Sequence, residues 1–418
     1  MLRLTILTVF VAALLALSGC VTRDKELRGP IAPRSNVAGP EFRQAVGNLL
    51  GAPLVAGNRI TTLQNGDEVF PAMLTAIRNA RKTITFEAYV FEDGNISLQF
   101  AEVLMERARA GVKVHMILDA HGASESRPLH QMLREAGVEL ALFHPLRPWD
   151  LRRYNNRTHR KLMVIDGRLG FIGGVGIAEE WEGHAQSPSH WRDNHYRVEG
   201  PAVAQMQAAF ADNWIKVHSE LLHGPDYFPE LPPRGNTLAS IFYSSPRRGR
   251  IHLEVLYHLA ISSARKSLLI ENAYFVPDSK MVNALAAAAR RGVRIQILVP
   301  GEHTDYRTVQ RAGRRRYGPL LEAGVEIYEY QPTMMHSKLL IVDGLFTTVG
   351  SANFDYRSIR LNDEANLNVY DRAFAAEQTR IFERDRALSR RYTEKEHRWR
   401  LPQRTVIGII EEPVANLL

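Results

Sequence analysis

The strongest constraint on this chain is that it carries one pattern twice. AIRNARKTITFEAYVFED, from Ala76, matches AISSARKSLLIENAYFVPD, from Ala260, and the aligned Arg81 and Arg265 lie 184 positions apart. RARAGVKVHMILD (107–119) then matches AARRGVRIQILVP (288–300), and REAGVELALF, from Arg134, matches LEAGVEIYEY, from Leu321. Last, His159-x-Lys161-x4-Asp166 matches His336-x-Lys338-x4-Asp343, 177 positions on. Four matches in one order imply two copies of one structural unit. In the first copy the apolar spacing predicts helices over 70–79, 97–110 and 128–136, alternating with strands over 83–91, 113–118 and 139–143. In the second it predicts helices over 255–263, 280–290 and 306–323 and strands over 267–276, 294–299 and 326–330. This alternation predicts an α/β fold: two pseudo-symmetric α/β sandwich repeats with mixed sheets, packed around one shared site. The proline cluster in 225–234 marks the boundary, giving domains over 53–230 and 231–418.

In a strand, residues two apart share a face. His159 and Lys161 therefore point together, as do His336 and Lys338. Packing the copies about a pseudo-twofold axis would gather two imidazoles and two ammonium groups around one anion, which suits phosphodiester transfer. One imidazole attacks phosphorus and forms a phosphohistidine. The other protonates the leaving alkoxide and then deprotonates the incoming alcohol or water. The lysines stabilise the equatorial oxygens, a task that otherwise often falls to a metal. No metal and no cofactor are expected, and one chain carrying both motifs suffices for catalysis as a monomer. Glu87 and Glu271 occupy matched strand positions, where pocket lining and a buried ion pair are both open. His115, His121, His144, His184, His190, His195 and His303 lack such a context and read as structural or surface residues.

The net charge of +8 over 418 residues favours anionic partners. Two arginine clusters stand out: Arg147, Arg152, Arg153, Arg157 and Arg160 beside the first motif, and Arg311, Arg314, Arg315 and Arg316 in the second half. Both suit anionic headgroups, with a solvated charged face as the alternative, more so for the Arg311 cluster than for the one beside His159. The single cysteine, Cys20, excludes an internal disulfide. It follows Arg3, an apolar run from Leu4 to Leu17, and Leu17-Ser18-Gly19, the order of a secretory signal peptide. Leu-Ser-Gly-Cys resembles the bacterial lipobox, which implies a signal peptide over 1–19, lipidation of Cys20 and a tether over 20–52. The expected location is a bacterial cell envelope, anchored to a membrane and facing the periplasm. The Val21 after the cysteine favours the outer membrane by resemblance to enterobacterial sorting.

The paired His-x-Lys-x4-Asp motifs resemble the phospholipase D superfamily over most of residues 57–390. YNNRTHRKLMVIDGRLGFIGG, HWRDNHYRVEGPAV and GSANFDYRSIRLNDEANLNV are most similar to bacterial cardiolipin synthases. The resemblance implies His159, Lys161, Asp166, His336, Lys338 and Asp343 as catalytic residues, with His159 as nucleophile and His336 as general acid/base. It implies that Asp193 and Glu364 orient the histidines, and that Ser351 and Asn353 of Gly350-Ser-Ala-Asn contact phosphate. Gly176 stands in the first copy where many members have Asn, so the halves are expected to differ. The implied activity is metal-independent phosphatidyl transfer to phosphatidylglycerol, with phospholipid and a membrane surface as partners and no nucleic acid. A hydrolytic phospholipase D and a nuclease share the same core chemistry and are the alternatives.

Overall fold

The computed structural model of the chain describes residues 36–123, 127–146, 155–245 and 252–399, with positions 27, 29 and 31. After α1 (Pro40–Leu50), the first copy runs β1 (Val55–Gln64), α2 (Asn65–Arg78), β2 (Thr83–Ala88), α3 (Asn95–Arg109), β3 (Lys113–Asp119), α4 (Arg127–Glu135), β4 (Glu139–Phe143), β5 (Leu162–Ile165), β6 (Leu169–Gly173), β7 (Asn194–Glu199) and α5 (Ala202–His218). The second runs β8 (Thr237–Ser244), α6 (His252–Ser263), β9 (Ser267–Asn272), α7 (Ser279–Arg290), β10 (Arg294–Pro300), α8 (Arg307–Arg315), α9 (Tyr317–Glu322), β11 (Glu326–Tyr330), β12 (Lys338–Val342), β13 (Phe346–Gly350), α10 (Tyr356–Arg360), β14 (Glu364–Tyr370) and α11 (Arg372–Ala387). β15 (Ser389–Tyr392) and α12 (Glu394–Trp399) follow. The α/β repeat architecture is thus as expected. The helix expected over 306–323 is two helices, because Pro319 lacks an amide proton and its ring opposes a continuous turn.

The two mixed sheets are not separate. The described strands form one 15-stranded sheet in the order β15-β11-β10-β9-β12-β13-β14-β8-β1-β7-β6-β5-β2-β3-β4. Either side of the β8–β1 seam, the two copies are laid out in matching order. β8 and β1 pair antiparallel through Val55 with Ala239 and Asn58 with Thr237, across an irregularity. The Asn58 amide closes that gap, donating to the carbonyls of Val55 (2.7 Å) and Thr237 (3.1 Å).

β5 and β12, which follow the two His-x-Lys pairs, are buried on both faces. Met163 and Ile165 enter the first copy's core, and Leu340 and Val342 the second copy's. Leu162, Val164, Leu339 and Ile341 share a third core, which draws on both halves. Strands covered on both faces require continuous apolar runs, which explains the uninterrupted Leu-Met-Val-Ile and Leu-Leu-Ile-Val of the motifs.

The tether expected over 20–52 is corrected at its end. Pro40–Leu50 is a helix whose Phe42, Val46 and Leu50 are buried in the second copy's core, with Phe42 edge-on to Phe346 at 5.0 Å. Three buried apolar side chains at helical spacing stabilise docking by about 1.5–3 kcal/mol each, so a free tether is not the low-energy state there. Residues 1–19, Cys20 and most of the tether lie outside the described residues. No helix among the described residues is long and apolar enough to cross a membrane.

Candidate active site

His159 and His336 sit just before β5 and β12, where the two halves meet over a cavity of about 440 Å³. His159, Lys161 and His336 line it, and Lys338 lies against His336. All four side chains are buried. The site is built by exchange between the copies. A parallel bridge ties Thr158 to Asp363, and the His159 amide donates to the Asp363 carbonyl at 2.8 Å. A second ties Arg192 to Met335, and the His336 amide donates to the Arg192 carbonyl at 2.7 Å. Each histidine is therefore presented beside the acidic residue of the opposite copy. His159 Nδ1 lies 2.9 Å from Glu364 Oε2, and His336 Nδ1 lies 2.7 Å from Asp193 Oδ2.

A carboxylate only accepts, so these contacts place the proton on each Nδ1 and leave Nε2 with its lone pair. The carboxylates are themselves held. Glu364 accepts from the hydroxyls of Ser351 (2.5 Å) and Ser358 (2.7 Å), and Asp193 accepts from the Trp181 indole (3.0 Å). Burial alone would raise both acids, but their histidine partners hold both below the usual range. Burial pushes His159 down to about 4 and His336 to about 3, with the neighbouring lysines adding to the effect. Both imidazoles are therefore neutral near pH 7. Burial also lowers Lys161 to about 8 and Lys338 to about 7.

The two histidines differ in what touches Nε2. Lys161 Nζ donates to the His159 carbonyl at 3.1 Å and does not reach the ring. Among the described residues, His159 Nε2 has no hydrogen-bond partner. Lys338 Nζ instead lies against the ring itself, 2.9 Å from His336 Nε2 and 3.0 Å from Nδ1. Each lysine lies over a matched tyrosine, Lys161 over Tyr89 at 5.3 Å and Lys338 over Tyr274 at 6.0 Å. His336 also packs against Trp181 and Trp191, at 5.3 and 5.2 Å. These two indoles have no counterpart in the second copy.

Several expected site residues lie elsewhere. Asp166 and Asp343 are corrected: they are turn residues and do not reach the cavity. Each has a positive φ (52°), as does the glycine after it, Gly167 (62°) and Gly344 (61°). Arg168 donates to the Ile165 carbonyl (2.9 Å) and Leu345 to that of Val342 (3.0 Å), so Asp-Gly forms the tight hairpin turn such dipeptides favour. The Asp166 carboxylate accepts the amides of Arg81, Lys82 and Thr83 (2.7–3.0 Å to the nearer oxygen), and Asp343 those of Arg265, Lys266 and Ser267 (2.7–2.9 Å). Ser351 is likewise not on the cavity, since its hydroxyl is spent on Glu364, whereas Asn353 does line it. In the first copy, a side chain at Gly174 would collide with Asp193, and one at Gly176 would press on Trp181 and Val90. Trp181 thus fills the space of an Asn353 counterpart.

Glu87 and Glu271 lie behind the motifs, accepting from the Thr158 and Ser337 hydroxyls. Arg160 points away from the cavity, wholly buried and bonded to the carbonyls of Ala209 and Ser244 and to Asp212. Arg314 is paired with Glu329 at 2.6 Å, so neither arginine is open to a headgroup. Arg147, Arg152 and Arg153 lie outside the described residues. Arg157 lines the cavity, and so do His121 and Arg357, which sequence reasoning missed. Tyr89 and Tyr274 were detectable as matched residues of the repeat; Trp181 and Trp191, being unrepeated, were not.

A family model described as "Cardiolipin synthase, PLD-like domain" matches residues 73–214 and 257–386. The cardiolipin synthase of Geobacillus kaustophilus is 37% identical over 322 residues, which are 76% of this chain and 64% of that protein. The major cardiolipin synthase of Bacillus subtilis is 34% identical over 366 residues, covering 86% of this chain and 75% of that one. This chain thus spans less than two thirds of the Geobacillus relative's length. Among solved structures, phosphatidylserine synthase of Haemophilus influenzae aligns with TM-score 0.67 at 15% identity, over 90% of this chain and 100% of that one, a likeness of fold. With a family model matching both copies of the repeat and relatives at this identity, the chain belongs to the cardiolipin synthase group of phospholipase D-like proteins.

Proposed function

We propose that the protein is a phosphatidyltransferase that moves a phosphatidyl group onto phosphatidylglycerol through a covalent phosphohistidine, without a metal. The observation that carries the reading is the pair of imidazoles, each fixed by a carboxylate from the other copy and each accompanied by a lysine. His159 is the nucleophile. Its Nε2 is open to the cavity, while that of His336 is engaged by Lys338. Nε2 of His159 attacks phosphorus, and an N–P bond forms as the bond to the leaving alkoxide breaks. His336 and Lys338 hold one proton between them and deliver it to the alkoxide. The incoming hydroxyl then gives its proton to that pair, attacks phosphorus and releases neutral His159. Lys161 and Lys338 stabilise the oxygens of the transition state. Asp193 and Glu364 orient the rings and stabilise imidazolium as it forms.

Anionic phospholipid, a membrane surface and a site complete in one chain go with this reading, and nucleic acid does not. Lipidation of Cys20 would tether the protein to a membrane facing the periplasm, with the outer membrane favoured. The test is to incubate purified protein with phosphatidylglycerol vesicles. Cardiolipin plus glycerol is the expected outcome. Phosphatidic acid alone would mean hydrolysis, and DNA cleavage without phospholipid turnover would overturn the lipid reading.

A further inference from the structure

Besides the lysines, the cavity is lined by two guanidiniums, Arg157 and Arg357, and by the carboxylates Glu92, Glu180, Asp305 and Asp355. On the His159 side its wall is formed by Arg157, Arg357 and His121. Arg157 Nη1 donates to the Tyr89 hydroxyl at 2.9 Å. Its buried Nε has no partner, and among the described residues no carboxylate lies within ion-pair distance of this guanidinium. The neighbouring Asp119 is already committed, accepting the amides of His121 (2.9 Å) and Thr158 (2.8 Å). Arg357 is held in place by Asn155, through its side-chain oxygen at 3.0 Å and its carbonyl at 2.9 Å. Asp355 shares the cavity but caps α10 through the Ser358 amide at 2.8 Å. Burial lowers Arg357, and so does the charge of Arg157. His121 is lowered by burial and by both arginines, so the three form one cluster. Two guanidiniums face one cavity, and among the described residues Arg157 has no carboxylate in ion-pair contact, so the pair forms a wall that an anion can complete.

We propose that Arg157 and Arg357 form a second phosphate subsite, which takes the acceptor lipid's own phosphodiester while the lysines hold the reacting one. The proposal rests on the transfer reading above. In the second half-reaction the glycerol hydroxyl of an anionic phospholipid attacks phosphorus. The new P–O bond forms, the N–P bond to His159 breaks, and the hydroxyl proton passes to the His336–Lys338 pair. With its phosphate anchored on the arginines, the acceptor presents its hydroxyl to phosphorus. Water and simple alcohols have no such anchor, so the subsite favours an anionic lipid over them.

The test uses partition of the shared phosphoenzyme. Full-length protein is supplied with phosphatidylglycerol vesicles and ethanol, and the ratio of cardiolipin to phosphatidylethanol is measured. The ratio depends only on the second half-reaction, so a slower first step does not alter it. Arg157→Gln is expected to lower it roughly tenfold or more, the loss of one charge-assisted contact. Arg157→Lys, which keeps the charge without the planar fork, should recover part of the difference. A ratio unchanged in Arg157→Gln would overturn the subsite even if both products form more slowly. Failure of the underlying reading looks different: the natural protein would then make no cardiolipin, only phosphatidic acid and phosphatidylethanol or no product at all.

Discussion

At His159 the Nδ1 proton is fixed by Glu364 and Nε2 has no hydrogen-bond partner among the described residues; at His336 the same carboxylate contact comes from Asp193, but Lys338 reaches the ring nitrogens. Identical motifs thus acquire different duties from their neighbours. The charge states give a pH dependence. The nucleophile must be neutral, which holds above about 4 for His159. The lysines must be charged, which holds below about 7 for Lys338 and about 8 for Lys161. For the free enzyme, kcat/KM should therefore be flat between these limits and fall as pH rises through 7 to 8. Lys338→Arg, which stays charged, should slow the reaction yet remove the limb near pH 7. A pH–rate profile with that limb unchanged would reject the assignment. His159, Lys161, His336 and Lys338 were legible because they recur. Trp181 and Trp191 were not, because neither is repeated; Trp181 fills the space beside Gly176, and both indoles pack on His336. The crossing of Asp193 and Glu364 was hidden for another reason: both acids were visible, but which histidine each meets is decided by bridges between the copies.

Among the elements, the strands of each repeat were legible because apolar runs buried on both faces leave a plain signal. The β1–β8 seam was not, since pairing between two strand edges leaves no periodicity. Helix α1 was missed because a polar, Gly- and Pro-bearing stretch precedes Phe42, and its docking face exists only once α6 and β13 are in place. The motif aspartates show how a recurring residue can be structural. Asp166 and Asp343 form hairpin turns and gather the amides that open β2 and β9. Asp166→Ala should cost about 1–3 kcal/mol through those lost amide contacts, read as a lower urea midpoint. Turnover per folded molecule should persist; loss of turnover with the midpoint unchanged would return Asp166 to the chemistry.

For the whole molecule, one sheet and a shared third core hold the halves so that neither site half is complete alone. His159 requires Glu364 from the second copy, and His336 requires Asp193 from the first. The proposed anchoring through Cys20 would act at this scale too, by placing the cavity at a bilayer. Cys20→Ser should block processing or release the protein from membranes on fractionation, and unchanged processing and attachment would refute the lipoprotein proposal. The central claim is that this assembled site works through a phosphoenzyme on the first copy's histidine. Labelled phosphatidylglycerol, rapid quenching at alkaline pH and peptide mapping test it directly. The account requires label on His159, lost in His159→Asn and accumulating when the acceptor step is impaired. Label on His336, or turnover with no labelled histidine, would contradict it.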